Sequence, residues 1–380
     1  MKRSSPFYNE SHDALRATAR KFVEKEIAPF VDEWDEAGVF PRELYKKAGD
    51  VGLLGLGFPE ELGGTPGDLF HRIVLSQEYA RAGGGGVPPS LNSHTIGAPP
   101  IVALGSAAMK ARVVPPILAG EKISALAITE PSGGSDVARL KTTARRSGDH
   151  FVVNGSKTFI TSGMRADYYT VAVRTGGEGA GGVSLLLIER DTPGFTQQPL
   201  RKMGWWASDT ATLFFDDCRV PADNLIGPEN QGFLGIMMNF NAERIALAAS
   251  CAALSQVCYD DALAWAQQRM AFGRRLADQQ VIRHKLVDMQ MRVHATQALL
   301  EMLAWRIEHG DQPAAEIAML KNQATQTLAY CASEGVQIHG GMGFMRGTNV
   351  ERIYREVKVN AIGGGAEEIM KDLAARQLRI

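Results

Sequence analysis

The apolar residues of this chain change period twice, and that switch limits the architecture more than any single residue does. From about His12 to Gly120 they recur at helix spacing, as at Leu15, Phe22, Val23 and Ile27 and again around Ile73 and Leu75. From about Ile123 to Gly232 they fall into short β-branched or aromatic runs. These are Ala125 to Ile128, Phe151 to Val153, Tyr168 to Val173, Val183 to Ile188 and Thr212 to Phe215. Ser147-Gly148-Asp149 and Asn154-Gly155 punctuate them, and Asn-Gly between two such runs predicts a hairpin turn. From Phe233 onward long helices return. Ile282, Leu286, Met289, Val293, Leu300, Leu303 and Ile307 mark one apolar stripe, and a further helix is expected over about Ala315 to Gln337. Helices, then strands, then helices predict an α+β protein. We expect an N-terminal α-helical domain (1–122), a middle antiparallel β sandwich or barrel (123–231) and a C-terminal α-helical domain (232–380).

Charge narrows the partners. Lys and Arg number 41 and Asp and Glu 42, so the net charge of -1 offers no general field for nucleic acid or an anionic membrane. Any phosphate must be bound locally. None of the four cysteines forms a C-x-x-C pair and no H-E-x-x-H is present, so no metal site is expected. Cys251 and Cys258 share a helix face and are read as small buried hydrophobes rather than a redox pair. Met1-Lys2-Arg3-Ser4-Ser5 has no apolar run behind it, and no stretch reaches the roughly 18 apolar residues of a membrane span. A cytoplasmic protein without membrane insertion is the expectation.

Two glycine-rich stretches invite a phosphate reading. Gly83 to Gly86 lacks a following Lys-Ser/Thr and any preceding strand, and is expected to be a flexible turn. Thr129-Glu130-Pro131-Ser132-Gly133-Gly134-Ser135-Asp136 follows a strand. Its small residues let backbone N–H groups approach an anion, with the Ser135 hydroxyl as a further donor. By itself it fits a ligand loop or an ordinary turn. The spacing is not G-x-G-x-x-G and no β-α-β pattern surrounds it, which argues against a nicotinamide site.

The residue order from Ile128 to Asp136, I-T-E-P-S-G-G-S-D, resembles the flavin loop of the acyl-CoA dehydrogenases. Three further segments match that family in order. Asn154 to Gly163 resembles N-G-x-K-x-[WF]-I-T-N-G, Arg269 to Gly273 resembles R-x-x-F-G, and Gln337 to Phe344 resembles Q-I-x-G-G-x-G-[FY], with Glu351 to Glu356 following. The resemblance implies FAD, and a C-terminal domain built like a four-helix bundle. It implies that Thr129 bonds the flavin ring, that Gly134 and Ser135 hold the pyrophosphate, that Phe159 packs on the isoalloxazine and that Thr161 donates to its reducible edge. Leu126, Ile128, Ala366 and Glu368 join this cofactor set. Arg269, Phe272, Gln280, Gln337, Gly340 and Gly341 would bind the ADP half of a flavin held mainly by a neighbouring subunit. A homo-oligomer follows, commonly a dimer of dimers.

Removing a proton beside a thioester carbonyl requires a base, and many family members carry it in Y-E-G-T near the C-terminus. Here that position falls on Gly364, in Gly363-Gly364-Gly365-Ala366-Glu367-Glu368. A carboxylate stands elsewhere. Ile236, Phe240, Glu243, Leu247 and Leu254 share one helical face, and Asn239, Phe240, Ala246 and Leu247, at three and four residues from Glu243, include no cation. An unpaired carboxylate in an apolar stripe costs several kcal/mol, so such a placement is functional or paired from a distance. The isovaleryl and long-chain members of the family likewise carry the base in a Glu-Arg pair on this helix. Glu243 is therefore expected to be the catalytic base. Arg244, about 100° away around the helix, is either near the CoA nucleotide or a surface charge. Ser135, Asn241, Arg244, Gly364 and Gly365 make up the expected substrate-binding set.

The resulting expectation is an FAD-dependent acyl-CoA dehydrogenase that forms a trans-2-enoyl-CoA and passes electrons to an electron-transfer flavoprotein. The bare glycines suggest room for medium, long or methyl-branched acyl chains. A flavin oxidase or monooxygenase of the same fold, or an inactive CoA- or flavin-binding relic, are the alternatives.

Overall fold

The computed structural model describes residues 5–380, apart from the side chains of residues 238 and 239. The expected leader-free start at Met1 to Ser4 and the Asn239 side chain beside Glu243 lie outside the described residues. The N-terminal region is built from α1 (Glu10–Glu26), α2 (Val31–Ala37), α3 (Glu43–Asp50) and α4 (Leu69–Ala80). Three short helices, α5 to α7 (Val87–Leu91, His94–Gly97, Pro99–Leu104), and α8 (Ala107–Leu118) follow. Asn9 and Asp68 start α1 and α4 through capping boxes with His12 and His71, which satisfy N–H groups that a helix end leaves open.

The middle region is one eight-stranded sheet. Its strands are β1 (Ser124–Ala127), β2 (Thr143–Ser147), β3 (His150–Thr161), β4 (Tyr168–Arg174), β5 (Val183–Glu189), β6 (Phe195–Pro199), β7 (Thr210–Pro221) and β8 (Leu225–Ile226). They run in the order β6-β7-β3-β2-β4-β5-β8, with β1 added alongside β4. Pairing is antiparallel except for β1 and β2 against β4, which are parallel. β4 and β5 are apolar at nearly every position because both of their faces are covered. Tyr169, Val171, Leu186 and Ile188 face a core shared with α1 to α5, whereas Tyr168, Ala172, Leu185 and Leu187 face one shared with α7 and α8.

The expected Asn-Gly hairpin is absent. Asn154 and Gly155 lie inside β3, where the register against β7 shifts between Val153 and Gly155. Gly155 sits at φ 140°, and a Cβ there would approach Thr142 Oγ1 to 2.7 Å, so the glycine serves a β-bulge. The turn is made instead at Gly148, at φ 62°, between β2 and β3.

The C-terminal region holds α9 (Gly232–Gln268), a short hairpin of β9 (Met270–Ala271) and β10 (Arg274–Arg275), α10 (Gln280–Glu308), α11 (Ala314–His339), α12 (Gly341–Phe344), α13 (Asn349–Ile362) and α14 (Glu367–Leu378). Six of the seven residues of the stripe on α10 are buried, with Ile307 partly so. All four cysteines are free and buried, and no helix among the described residues is long and apolar enough to cross a membrane.

Gly83 to Gly86 is a turn, but a packed one. All four residues are buried with φ between 79° and 96°, and side chains would strike Asn349, Glu356, Val31 and Trp205. Gly85 N–H donates to the Glu356 carboxylate at 2.9 Å and Trp205 N–H donates at 3.2 Å. Burial, helped by nearby Asp35, pushes the Glu356 carboxyl up to about 8. Arg352 pairs with Asp32, and Arg355 with Asp35 and Glu351, so the Glu351 to Glu356 segment ties α13 to α2 and to the middle region.

Candidate active site

The loop after β1 is fastened from below. Glu130 is buried, and its carboxylate accepts from Lys141 N–H at 2.6 Å, Thr142 N–H at 2.8 Å and Lys157 Nζ at 2.8 Å. Lys157, itself fully buried on β3, also donates to the Ile128 carbonyl at 3.0 Å. Burial pushes the Lys157 ammonium down to about 8 against the pull of Glu130. Burial would raise Glu130, but Lys157 and the loop N–H groups outweigh it and the carboxyl titrates below its usual range. Thr158 N–H donates to the Thr129 carbonyl at 2.8 Å, so loop and strand move together. Above this anchor Gly133, Gly134 and Ser135 are exposed, and a Cβ on Gly133 would meet nothing within 4 Å. Gly134 packs under Thr129, whose Cγ2 would lie 3.1 Å from a Cβ there.

Phe159 is set beside this loop by strain. A second register shift in β3, between Lys157 and Ile160, places it at φ 60° with 69 % of its surface exposed. An aromatic residue in the left-handed region, turned outward, is an outlier that marks functional positions. Thr161 ends the strand, partly buried; Leu126 lies on β1 and Ile128 just beyond it. Ile128 packs in the same apolar cluster as Phe240, one turn before Glu243, which links the loop to α9.

Glu243 lies on α9 where that helix passes from one core to another. Ile236 belongs to the core shared with the sheet and Ile245 to the core of the C-terminal bundle. Burial raises the Glu243 carboxyl above its usual range, and Arg244 only partly opposes this. No ion-pair partner reaches it among the described residues. Arg244 is buried and turned elsewhere: Nε donates to the Gly364 carbonyl at 3.2 Å and Nη1 to Asn241 Oδ1 at 3.2 Å. It is therefore not a surface charge.

Gly364 faces Glu243. A Cβ added to it would lie 4.0 Å from Glu243 Oε1 and 3.7 Å from Leu247 Cδ1. Gly364 and Gly365 have φ of 67° and 107°, and Ala366 and Glu368 continue into α14. The turn is held by Lys321, which the sequence reading passed over. Its stem is fully buried on α11, and Nζ donates to the carbonyls of Ala361 at 3.0 Å and Gly365 at 2.7 Å. The signal was present, because Ile317, Lys321, Ala324 and Leu328 follow the same 4-3-4 spacing that singled out Glu243.

Arg269, Phe272, Gln280, Gln337, Gly340 and Gly341 are all exposed, Phe272 to 98 %. A stack of Trp265 on His339, with centroids 5.2 Å apart, brings the end of α9 beside the end of α11 and groups several of them on one surface. Elsewhere His12, Asp68 and His71 place possible metal ligands within 4.8 Å of one another. Both imidazoles already face backbone N–H groups through Nδ1, and His12 Nε2 lies 3.0 Å from the Asp68 carboxylate. Helix capping accounts for this cluster.

Comparison with known proteins agrees with the geometry. Residues 9–121, 125–218 and 230–379 match the family models for the N-terminal, middle and C-terminal domains of acyl-CoA dehydrogenase. The long-chain specific acyl-CoA dehydrogenase of rat mitochondria is 37% identical over 98% of this chain and 87% of its own. An acyl-CoA dehydrogenase from Geobacillus kaustophilus superposes with a TM-score of 0.95 at 36% identity, covering 99% of this chain and 100% of that one. A glutaryl-CoA dehydrogenase from Mycobacterium smegmatis, solved with FADH2, gives 0.91 at 25% identity, covering 99% and 96%. The chain belongs to the acyl-CoA dehydrogenase family of FAD-dependent oxidoreductases.

Proposed function

We propose that Glu243 is the base that removes the α proton of an acyl-CoA thioester in this enzyme. The observation that carries the reading is the approach of Gly364 to Glu243 Oε1. A position without a side chain and a carboxylate on another helix border the same space, so one group can serve there. Desolvation holds the carboxyl above its ordinary range, which strengthens it as a base once ionised. FAD, when bound, accepts the hydride that leaves the β carbon. Exposed, strained Phe159 fits one face of the flavin ring, and the open backbone at Gly133 to Ser135 fits its phosphates. Thr129 and Thr161 complete that wall, with Arg269, Phe272, Gln280, Gln337, Gly340 and Gly341 offered to the flavin of a neighbouring subunit.

The acyl chain is of medium or greater length or carries a methyl branch, the electron acceptor is an electron-transfer flavoprotein, and the assembly is a dimer of dimers. The bare glycine turn and the long-chain relative support the first. The exposed ADP-binding set supports the last. A cytoplasmic setting suits four unpaired thiols. In anaerobic stopped-flow, Glu243→Gln should keep bound flavin and lose substrate bleaching by about 10²–10⁴-fold. Near-normal bleaching would remove Glu243 from the role.

A further inference from the structure

The turn opposite Glu243 is an unlikely rigid wall on its own. Gly363, Gly364 and Gly365 bring no side chains to pack, and two of them occupy the left-handed region. Three side chains from outside the turn nevertheless hold carbonyls in it and at its two ends. Lys321 takes those of Ala361 and Gly365, Arg244 takes that of Gly364, and Asn322 Nδ2 donates to that of Glu367 at 2.9 Å. Thr325 Oγ1 adds a bond to the Glu367 carboxylate at 3.1 Å. Lys321 thus staples the last turn of α13 to the entry of α14 across the glycines. Arg244, the residue after Glu243, ties the same turn to the helix of the base.

The choice of a lysine is informative. No carboxylate lies in ion-pair distance of its ammonium among the described residues, and its stem is fully buried. An ammonium satisfied only by carbonyls is an expensive way to fill a core that an apolar side chain would fill at least as well. Two N–H donors from one ammonium, reaching carbonyls four residues apart in the chain, are what a methionine or leucine could not supply. The C-terminal carbonyls of α13 also carry partial negative charge, which favours a cation there.

We propose that Lys321 is a positioning residue for the reaction: by holding the Ala361 and Gly365 carbonyls it fixes the glycine turn against Glu243 and so sets the width of the acyl pocket. The inference rests on the reading of Glu243 as the base.

The test is anaerobic flavin reduction by Lys321→Met holoenzyme with butyryl-, octanoyl- and palmitoyl-CoA, with flavin content and Tm measured alongside. Flavin content should hold, the limiting reduction rate should fall about tenfold or more, and the ratio between best and worst thioester should shrink. Lys321→Arg, which keeps donors, should recover part of both. A lowered Tm with rates and preference within about twofold of the parent would overturn the proposal and leave Lys321 a structural brace. If Lys321→Met yields no holoenzyme, Lys321→Gln is measured in the same way. Its amide reaches one carbonyl, and an intermediate loss is expected where an unchanged profile would overturn. The two readings fail separately. Bleaching retained in Glu243→Gln sinks the base, whereas a flat profile in the Lys321 variants sinks only the positioning role.

Discussion

Two buried lysines hold the two walls of the proposed site, and they do so in different ways. Lys157, under the loop from Thr129 to Ser135, has a carboxylate partner in Glu130 and a carbonyl at Ile128. Lys321, under the turn from Gly363 to Gly365, has carbonyls only. A paired cation makes a rigid anchor whose loss leaves a charge stranded. A cation bonded only to carbonyls can be removed without stranding a partner charge, so its loss releases the turn and the helix ends it joins but leaves no carboxylate unpaired. The cofactor wall is therefore expected to be the stiffer one, and the substrate wall the one that variants can tune.

Lys157→Met should give the largest effect on stability. It strands Glu130, at about 3–5 kcal/mol for breaking a buried pair, which corresponds to a fall in Tm of about 5 °C in a chain of this size. Differential scanning fluorimetry and the flavin-to-protein absorbance ratio read both parts, and flavin should be lost on dialysis. A variant that keeps flavin and Tm would break the contrast between the walls. Gly364→Ala comes next. Its Cβ meets Leu247 and Glu243 at ordinary contact distances, but φ of 67° makes the substitution cost about 1 kcal/mol. Flavin should be retained, with a few-fold loss in reduction rate that is greater for branched than for straight thioesters. An equal loss for both would show that the turn does not border the acyl chain.

At Glu243 itself the expected effect on stability is small. Its carboxyl is raised in the folded state, so the native protein binds more protons than the unfolded chain above the ordinary carboxylate range. Stability contributed by this group is present at low pH and lost as pH rises through the folded value. Glu243→Gln should then raise Tm at pH 8 while leaving it nearly unchanged at pH 4. The parent's reduction rate should rise with pH through the same elevated value. An acid limb at the pKa of an ordinary exposed carboxylate would contradict the burial of the base.

The sequence made some of this legible and hid the rest for physical reasons. Periodicity located the sheet and the long helices, because β4, β5, α10 and α11 are packed over most of their length. It failed at Asn154-Gly155, where the local signal for a hairpin is satisfied by a bulge inside a long strand. That bulge and the next one are set by pairing with β7, some sixty residues away, which local propensity cannot see. Gly83 to Gly86 misled similarly, since its left-handed backbone is selected by contacts with Trp205, Asn349 and Glu356. Glu243 was visible as a charge in an apolar stripe. Lys321 fits the same pattern, but a lysine raises less suspicion there because its long stem can carry the charge to a surface. Here it does not.

The proposed removal of the α proton by Glu243 can be separated from hydride transfer. A thioester such as 3,3-dimethylbutyryl-CoA has hydrogen on its α carbon and none on its β carbon, so only proton removal can be observed. Incubated with flavin-bound enzyme in D2O and followed by mass spectrometry, it should gain deuterium at the α carbon with the parent protein and stay unlabelled with Glu243→Gln. Equal labelling by both proteins would contradict the account.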